Sequence, residues 1–272
     1  MYTCAGRIGL YMSGMPWKEI RSAHNPAVQA LRALREARAR RESGLFLAEG
    51  AKMVGEALEA GLCRTLIVED TRREEYAALS ARAEAAGCGG MLVSGAVMRA
   101  VSEAKTPQGI ACTAAIPDEP ATLCGRWIVA LDGVQDPGNV GTIVRTADAA
   151  GFEGVLLGMG CADLYGAKAL RATMGSVFRV PVKRAGNLER ELEEMKARGY
   201  AVAATELGGD DFYAGCPRTR AVLVIGSEGH GVSSAVRRVA THHLALPMRG
   251  GAESLNAAVA AGIMIYEMAR SV

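Results

Sequence analysis

The sequence predicts an α/β protein in two parts: a smaller N-terminal α/β domain and a larger C-terminal domain built on a parallel sheet. Three observations carry that expectation. Short apolar runs alternate with segments of helical period along most of the 272 residues, the pattern of strands covered by helices. In the second half the apolar runs, such as WIVAL and AVLVIG, lack polar alternation, as strands buried on both faces do. Between the halves Pro117, Asp118, Glu119 and Pro120 interrupt the apolar periodicity, so 117–125 reads as a linker. The expected division is therefore a disordered extension over 1–16, a first domain over 17–116, the linker, and a second domain over 126–272.

Each element has a local reason. Asn25-Pro26 opens the first helix, since asparagine caps and proline is tolerated in the first turn. That helix should run through VQALRALREARAR, with Val28, Leu31 and Leu34 inward and the arginines mostly outward. Strand FLAEG, helix AKMVGEALEAG, strand TLIVE, a helix around REEYAALSARAEAAG, strand MLVSG, a short helix near AVMRAVSE and strand GIACTAA follow. After the linker come strand WIVAL, helix NVGTIVRTADAAG, strand GVLLG, a mixed stretch to FRVPV, helix NLERELEEMKARG, and strands AVAATE and AVLVIG. A short helix near SSAVRRVA, strand HLALP and a long helix from Ser254 complete the chain. In that last helix Leu255, Ala258, Val259, Gly262, Ile263 and Tyr266 recur at helical spacing, which marks one face as core.

Composition narrows the function classes. Half of the chain is apolar and 22% is charged, as in globular proteins. No apolar run reaches the ~18–20 residues needed to cross a bilayer. The first fifteen residues make a poor signal peptide, lacking a basic segment followed by an apolar one; they read as a disordered extension or as the result of a start codon placed too early, with Met15 the better beginning. Seven cysteines (Cys4, Cys63, Cys88, Cys112, Cys124, Cys161, Cys216) are scattered and never form C-x-x-C. They suit reduced thiols in a cytoplasmic protein, against a disulfide framework or a zinc site. Adjacent His242 and His243 in a strand would point to opposite faces, so no metal is expected. The net charge is +2, yet Lys18, Arg21, Arg32, Arg35, Arg38, Arg40 and Arg41 face only Glu19 and Glu36 over 18–41. Such a stripe either neutralises phosphates or is a solvated helix face; for RNA the candidates are Arg21, Arg32, Arg35, Arg38 and Arg41.

In a parallel sheet ligands sit beyond the carboxyl ends of the strands, which directs attention to three loops. In DGVQDPGNVG, Pro137-Gly138 fits the centre of a type II turn, and Asn139 is either a cap or a functional amide. Arg145 lies two turns further on, where pairing with Asp148 at i+3 is the ordinary role. VIGSEGHGVS sets Glu228 among glycines that let backbone approach a ligand, and it matches neither the phosphate loop nor a convincing G-x-G-x-x-G. In LPMRGGAESLNAA, Ser254 is a natural helix cap, while Asn256 occupies a first-turn position better filled by a helix former.

Together the three loops resemble the motifs of the SpoU/TrmH branch of the SPOUT RNA methyltransferases: DPGNVGTIVRTADAAGFEGV the first, VLVIGSEGHGVS the second, LPMRGGAESLNAAVAAGIMIYE the third. SAHNPAVQALRAL, FLAEG and TPQGIACTA likewise resemble the small substrate-binding domain of many members, so the likeness covers nearly everything after about Trp17. One departure is that many relatives have Val-Ser where this chain has Ala257-Ala258, which removes a hydroxyl near the cofactor or dimer partner.

The resemblance implies a deep trefoil knot and a homodimer through the C-terminal domain. It also implies that S-adenosylmethionine donates its methyl group to a ribose 2′-hydroxyl of RNA. Arg145, Asn139, Glu228, Ser254 and Asn256 match the catalytic positions. Thr205, Glu206, Leu207, Ile225, Gly226, Ser227, Gly229, Leu246, Pro247, Met248, Ser254, Leu255 and Ala258 match the cofactor-holding segments. Guanidinium is a poor base, so Arg145 is expected to fix a phosphate and stabilise developing alkoxide, with Asn139 and Glu228 positioning it and the ribose. Ser254 and Asn256 should hold the phosphate or the loop near the helix start. A full N-terminal domain resembles members acting on large-subunit ribosomal RNA more than the compact transfer-RNA enzymes. The alternatives are the same reaction on transfer RNA, a non-catalytic RNA-binding protein of this fold, and, more distantly, a dinucleotide oxidoreductase.

Overall fold

A computed structural model describes residues 17–270; the extension expected over 1–16 lies outside the described residues. The chain forms two compact units. The first runs to Pro117 and takes in Tyr165–Leu170, while the second comprises Asp118–Leu164 and Arg171 onward. A contiguous division at the linker did not anticipate the short return of 165–170 to the first unit.

In the first unit the elements are β1 (Lys18–Ile20), α1 (Pro26–Ala33), α2 (Ala37–Ser43), β2 (Leu45–Glu49), α3 (Ala51–Glu59), β3 (Cys63–Glu69), α4 (Ala77–Ala85), β4 (Gly89–Val93), α5 (Gly95–Val101) and β5 (Ile110–Ala115). They build a five-stranded mixed sheet of order β1-β4-β3-β5-β2, in which β5 runs antiparallel to β3 and β2. Ile20, Val28, Leu31, Ile67, Val97 and Met98 share one core. Strand β1 has no counterpart in the sequence-based expectation. Only Ile20 of its three residues is buried, too short a pattern to register.

The expected single helix over 26–40 is two helices. Leu34, Arg35 and Glu36 close i→i−3 turns, and the Arg40 guanidinium, buried rather than outward, donates to the carbonyls of Leu34 and Arg35, both at 2.7 Å. Those are carbonyls that a continuous helix would use itself, so the break is stabilised from within. Arg35 also turns inward, donating to the carbonyls of Ala100 at 2.8 Å, Val101 at 3.3 Å and Ser102 at 2.9 Å. It thereby satisfies orphan acceptors at the end of α5. Its Nη2 is thus committed to the fold, where the sequence had marked Arg35 as a candidate for RNA. Arg35→Ala is expected to cost about 2–3 kcal/mol, read as a lower unfolding midpoint.

The second unit contains β6 (Trp127–Asp132), α6 (Pro137–Ala149), β7 (Val155–Leu157), α7 (Ala167–Thr173, whose first residues belong to the first unit), β8 (Val182–Arg184), α8 (Leu188–Ala197), β9 (Ala201–Asp211), α9 (Phe212–Gly215), β10 (Ala221–Gly226), α10 (Ser234–Val239), β11 (His242–Ala245) and α11 (Ala257–Ala269). Six parallel strands lie in the order β11-β9-β10-β6-β7-β8. Ile128, Leu156, Leu192, Val202, Val224 and Val236 belong to the core on one side of this sheet. The expected linker is anchored: Leu123 is buried, and the carbonyls of Ala121, Leu123 and Gly125 accept from Lys183, Arg198 and Tyr200.

Two expectations for the last helix change. It begins at Ala257, capped by Asn256 and not by Ser254. Its buried face is Ala257, Ala258, Ala261, Met264, Ile265 and Met268, whereas Leu255, Val259, Ile263 and Tyr266, expected as core, are exposed. The helix is apolar nearly all round, so periodicity could not decide which side the sheet covers. Among the described residues no helix is long and apolar enough to cross a membrane, no group of three or more His, Cys, Asp or Glu residues could hold a metal, and the cysteines are free thiols.

Candidate active site

Strands β6, β10 and β11 all end at one edge of the parallel sheet, and the three singled-out loops follow them. After β6, Asp136 caps α6 by accepting from the Asn139 amide at 2.9 Å, with Pro137 in the first helical position. The helix therefore starts two residues earlier than expected, in place of a type II turn. Because Asp136 does the capping, the Asn139 side chain is free for other work.

That side chain links all three loops. Asn139 Nδ2 donates to Glu228 Oε1 at 2.6 Å, and Asn139 Oδ1 accepts from Asn256 Nδ2 at 3.1 Å. Asn256 Oδ1 in turn accepts from the amides of Ala258 at 3.0 Å and Val259 at 3.3 Å. The Ala258 amide is thus taken up by the cap, and Ala258 is buried. With both ends of its amide bonded, Asn139 is fixed in orientation.

The loop carrying Glu228 is closed by reciprocal backbone bonds between Ser227 and Gly231, at 3.0 and 2.9 Å. Gly231 has φ +65°, and a Cβ on Gly226 would lie 2.1 Å from the Gly231 carbonyl carbon. Only glycine permits this approach. Cys161, on the loop after β7, donates to the Leu131 carbonyl at 3.3 Å. Burial raises its thiol pKa above the usual range, so it remains a protonated donor rather than a nucleophile.

Arg145 is exposed on α6. The ion pair with Asp148 does not form, because Arg179 holds that carboxylate through Nη2 at 2.7 Å and Nε at 3.0 Å. Arg145 has no ion pair among the described residues. It also makes no bond to Asn139 or Glu228, contrary to the expectation that they position it. Six residues of helix separate Arg145 from Asn139, about 9 Å of rise and well over 90° of turn. Ser254 is exposed in the loop before Asn256.

A further predicted segment, Thr205 to Leu207, lies where β9 leaves both neighbours. Pairing with β10 covers Ala201–Ala204, and the register with β11 jumps from Ala204 to Asp210. Backbone N–H and C=O groups over 205–209 are thus released from the ladders beside half-buried Leu246 and Met248. Backbone groups outside the ladders, glycines and apolar side chains at one edge suit the faces and polar edges of a nucleoside. Sequence reasoning missed Arg237 and His243 in this region, whose side-chain contacts with Glu206, both at 3.0 Å, have no short-range signal.

Residues 126–266 match the SpoU rRNA Methylase family, and residues 25–112 match the MRM3-like substrate binding domain. The 23S rRNA (guanosine(2553)-2′-O)-methyltransferase of Bacillus subtilis is 38% identical over 92% of this chain and 99% of its own. The crystal structure of an AdoMet-bound rRNA methyltransferase from Sinorhizobium meliloti has a TM-score of 0.83 at 37% identity, covering 93% of this chain and 97% of that one. AviRb from Streptomyces viridochromogenes, solved with AdoMet, has a TM-score of 0.81 at 28% identity, covering 90% and 97%. With the family's motifs on three loops of one sheet edge and a model match over more than half its length, the chain belongs to the SpoU rRNA methylase family.

Proposed function

We propose that this protein transfers the methyl group of S-adenosylmethionine to a ribose 2′-hydroxyl of large-subunit ribosomal RNA. The observation that carries this reading is the chain Asn256–Asn139–Glu228, which locks three otherwise separate loops into one polar cluster. Bound S-adenosylmethionine supplies the electrophilic methyl. The backbone of 205–207, 225–229 and 246–248, with Ser254 and Leu255, would hold it. Asn139 and Glu228 orient the acceptor ribose, and Arg145 holds its phosphate and stabilises the developing alkoxide.

The first unit supplies affinity for RNA. Its match to a substrate-binding domain supports this, as do exposed Arg21, Arg32, Arg38 and Arg41, which meet phosphates without reading sequence. The B. subtilis relative, named for a 23S guanosine, supports the ribosomal target and a cytoplasmic location.

The enzyme works as a homodimer through its second unit, whose last loops form a trefoil knot. Val259, Ile263 and Tyr266 are 50%, 38% and 54% exposed along one stripe of α11, and an apolar helix face of this kind calls for a partner. A Cβ on Gly262 would lie 3.9 Å from Thr146 Cγ2, so α11 borders α6 at Thr146, the residue after Arg145. A monomeric mass in sedimentation would overturn the dimer. The reaction is tested by incubating the protein with labelled S-adenosylmethionine and unmodified total RNA, then sizing the RNA and analysing its nucleosides. Label in a 2′-O-methylnucleoside of large-subunit RNA is expected. Label confined to transfer RNA would overturn the target, and label in a methylated base would overturn the reaction.

A further inference from the structure

We propose that the Glu206 side chain is a positioning residue, the tie that holds the three cofactor loops in one arrangement. The inference rests on the S-adenosylmethionine reading above. It deepens that reading by giving a role to a side chain and to two partners, Arg237 and His243, that lie outside the family motifs quoted for this chain.

The need for a tie follows from the sheet. Residues 205–209 belong to neither the β10 nor the β11 ladder, so no regular backbone bonding dictates their path. A Cβ on Gly209 would lie 2.7 Å from the His243 carbonyl oxygen, which shows how closely the far end of the bulge is pressed to β11. At the near end, just past Ala204, the last residue paired with His243, stands Glu206.

The carboxylate reaches two separate elements. Oε2 lies 3.0 Å from Arg237 Nε, and Oε1 lies 3.0 Å from His243 Nδ1. Arg237 sits on α10, directly after the glycine loop, and its Nη2 is 3.9 Å from where a Cβ on Gly231 would be. His243 sits on β11, three residues before Leu246, where the third loop begins. One carboxylate therefore connects the β9 bulge with the helix behind the second loop and the strand that delivers the third.

The strength of the tie follows from its setting. The Glu206 side chain is only 17% exposed, and each of its oxygens has its own nitrogen partner. Exposed single ion pairs contribute little. A largely buried carboxylate with two charge-capable partners is held more firmly, and either partner alone leaves it poorly compensated. Loosening the bulge would lower the fraction of molecules ready to bind the cofactor and weaken apparent affinity by that same fraction.

The test is equilibrium binding of labelled S-adenosylmethionine to the full chain, with far-ultraviolet circular dichroism as a folding check. Glu206→Gln, nearly isosteric, is expected to weaken binding about tenfold, and Arg237→Gln by a similar factor. Because both break one tie, the double variant should be about as weak as either single one, not a hundredfold weaker. Arg237→Lys, which keeps the charge, should stay within about threefold of wild type. Unchanged binding in Glu206→Gln, or independent losses that multiply in the double variant, would overturn the assignment. So would an Arg237→Lys protein as weak as Arg237→Gln, since packing rather than the charged tie would then be at work. Failure of the wild-type chain to bind would instead remove the cofactor reading on which the assignment stands.

Discussion

Arg145→Ala is expected to lower the rate of methyl transfer to RNA by about 10²–10³-fold, the loss typical of a group aimed at developing charge, while leaving S-adenosylmethionine binding unchanged. The argument begins with what Arg145 does not do. Asp148, its natural i+3 partner, is held through two nitrogens by Arg179, so the guanidinium faces solvent with no ion pair among the described residues. An exposed cation on a small apolar helix, two turns along from Asn139 and with its local partner taken, is available to an incoming phosphate. Since guanidinium stays protonated at any physiological pH, it acts by charge and geometry and not as a base. Arg145→Lys separates those two: lysine keeps the charge and loses the bidentate fork. Single-turnover transfer with labelled cofactor reads both variants. Near-normal turnover in Arg145→Lys would rule out bidentate phosphate recognition as its main task, and near-normal turnover in Arg145→Ala would remove it from the reaction.

Gly226→Ala should be the most damaging single methyl group in the second unit. The added Cβ would meet the Gly231 carbonyl carbon at 2.1 Å and the Val232 amide nitrogen at 2.2 Å. Both are backbone atoms, and the reciprocal Ser227–Gly231 bonds stop them from moving aside. Relief requires opening the loop that carries Glu228 or bending the end of β10. Overpacking of this kind costs about 3 kcal/mol, which for a unit of this size lowers the unfolding midpoint by roughly 6–12 °C. Distortion of the same loop should weaken S-adenosylmethionine binding about a hundredfold, equivalent to roughly 2.7 kcal/mol. A midpoint and an affinity both equal to wild type would show that the close approach is not needed.

Those two residues mark how far local patterns reach. Strand and helix positions were legible because apolar period and capping are short-range properties: WIVAL, AVLVIG and NLERELEEMKARG became β6, β10 and α8 with small shifts at their ends. The same holds for the three loops, since a parallel sheet collects the carboxyl ends of its strands at one edge whatever the details. Shifts in element starts have local causes too, as where Asp136 takes the cap that Asn139 was free to leave.

What required tertiary structure was every question of which partner a group meets. Arg35 and Arg40 carry the same charge as their neighbours, yet they turn inward because carbonyls at the ends of α5 and α1 lacked donors. Val259, Ile263 and Tyr266 have the period of a core face but stand exposed, because α11 is apolar on nearly all sides and the sheet covers only one. The bonds of Asn139 reach 89 and 117 residues along the chain, and those of Glu206 join elements whose adjacency exists only in the folded sheet. By itself the sequence determined the element order, the sheet edge and the residue types available there, all consequences of short-range periodicity and capping. Tertiary structure alone decided which side chains became struts and which remained free for a substrate, because that depends on unsatisfied groups brought together from distant parts of the chain.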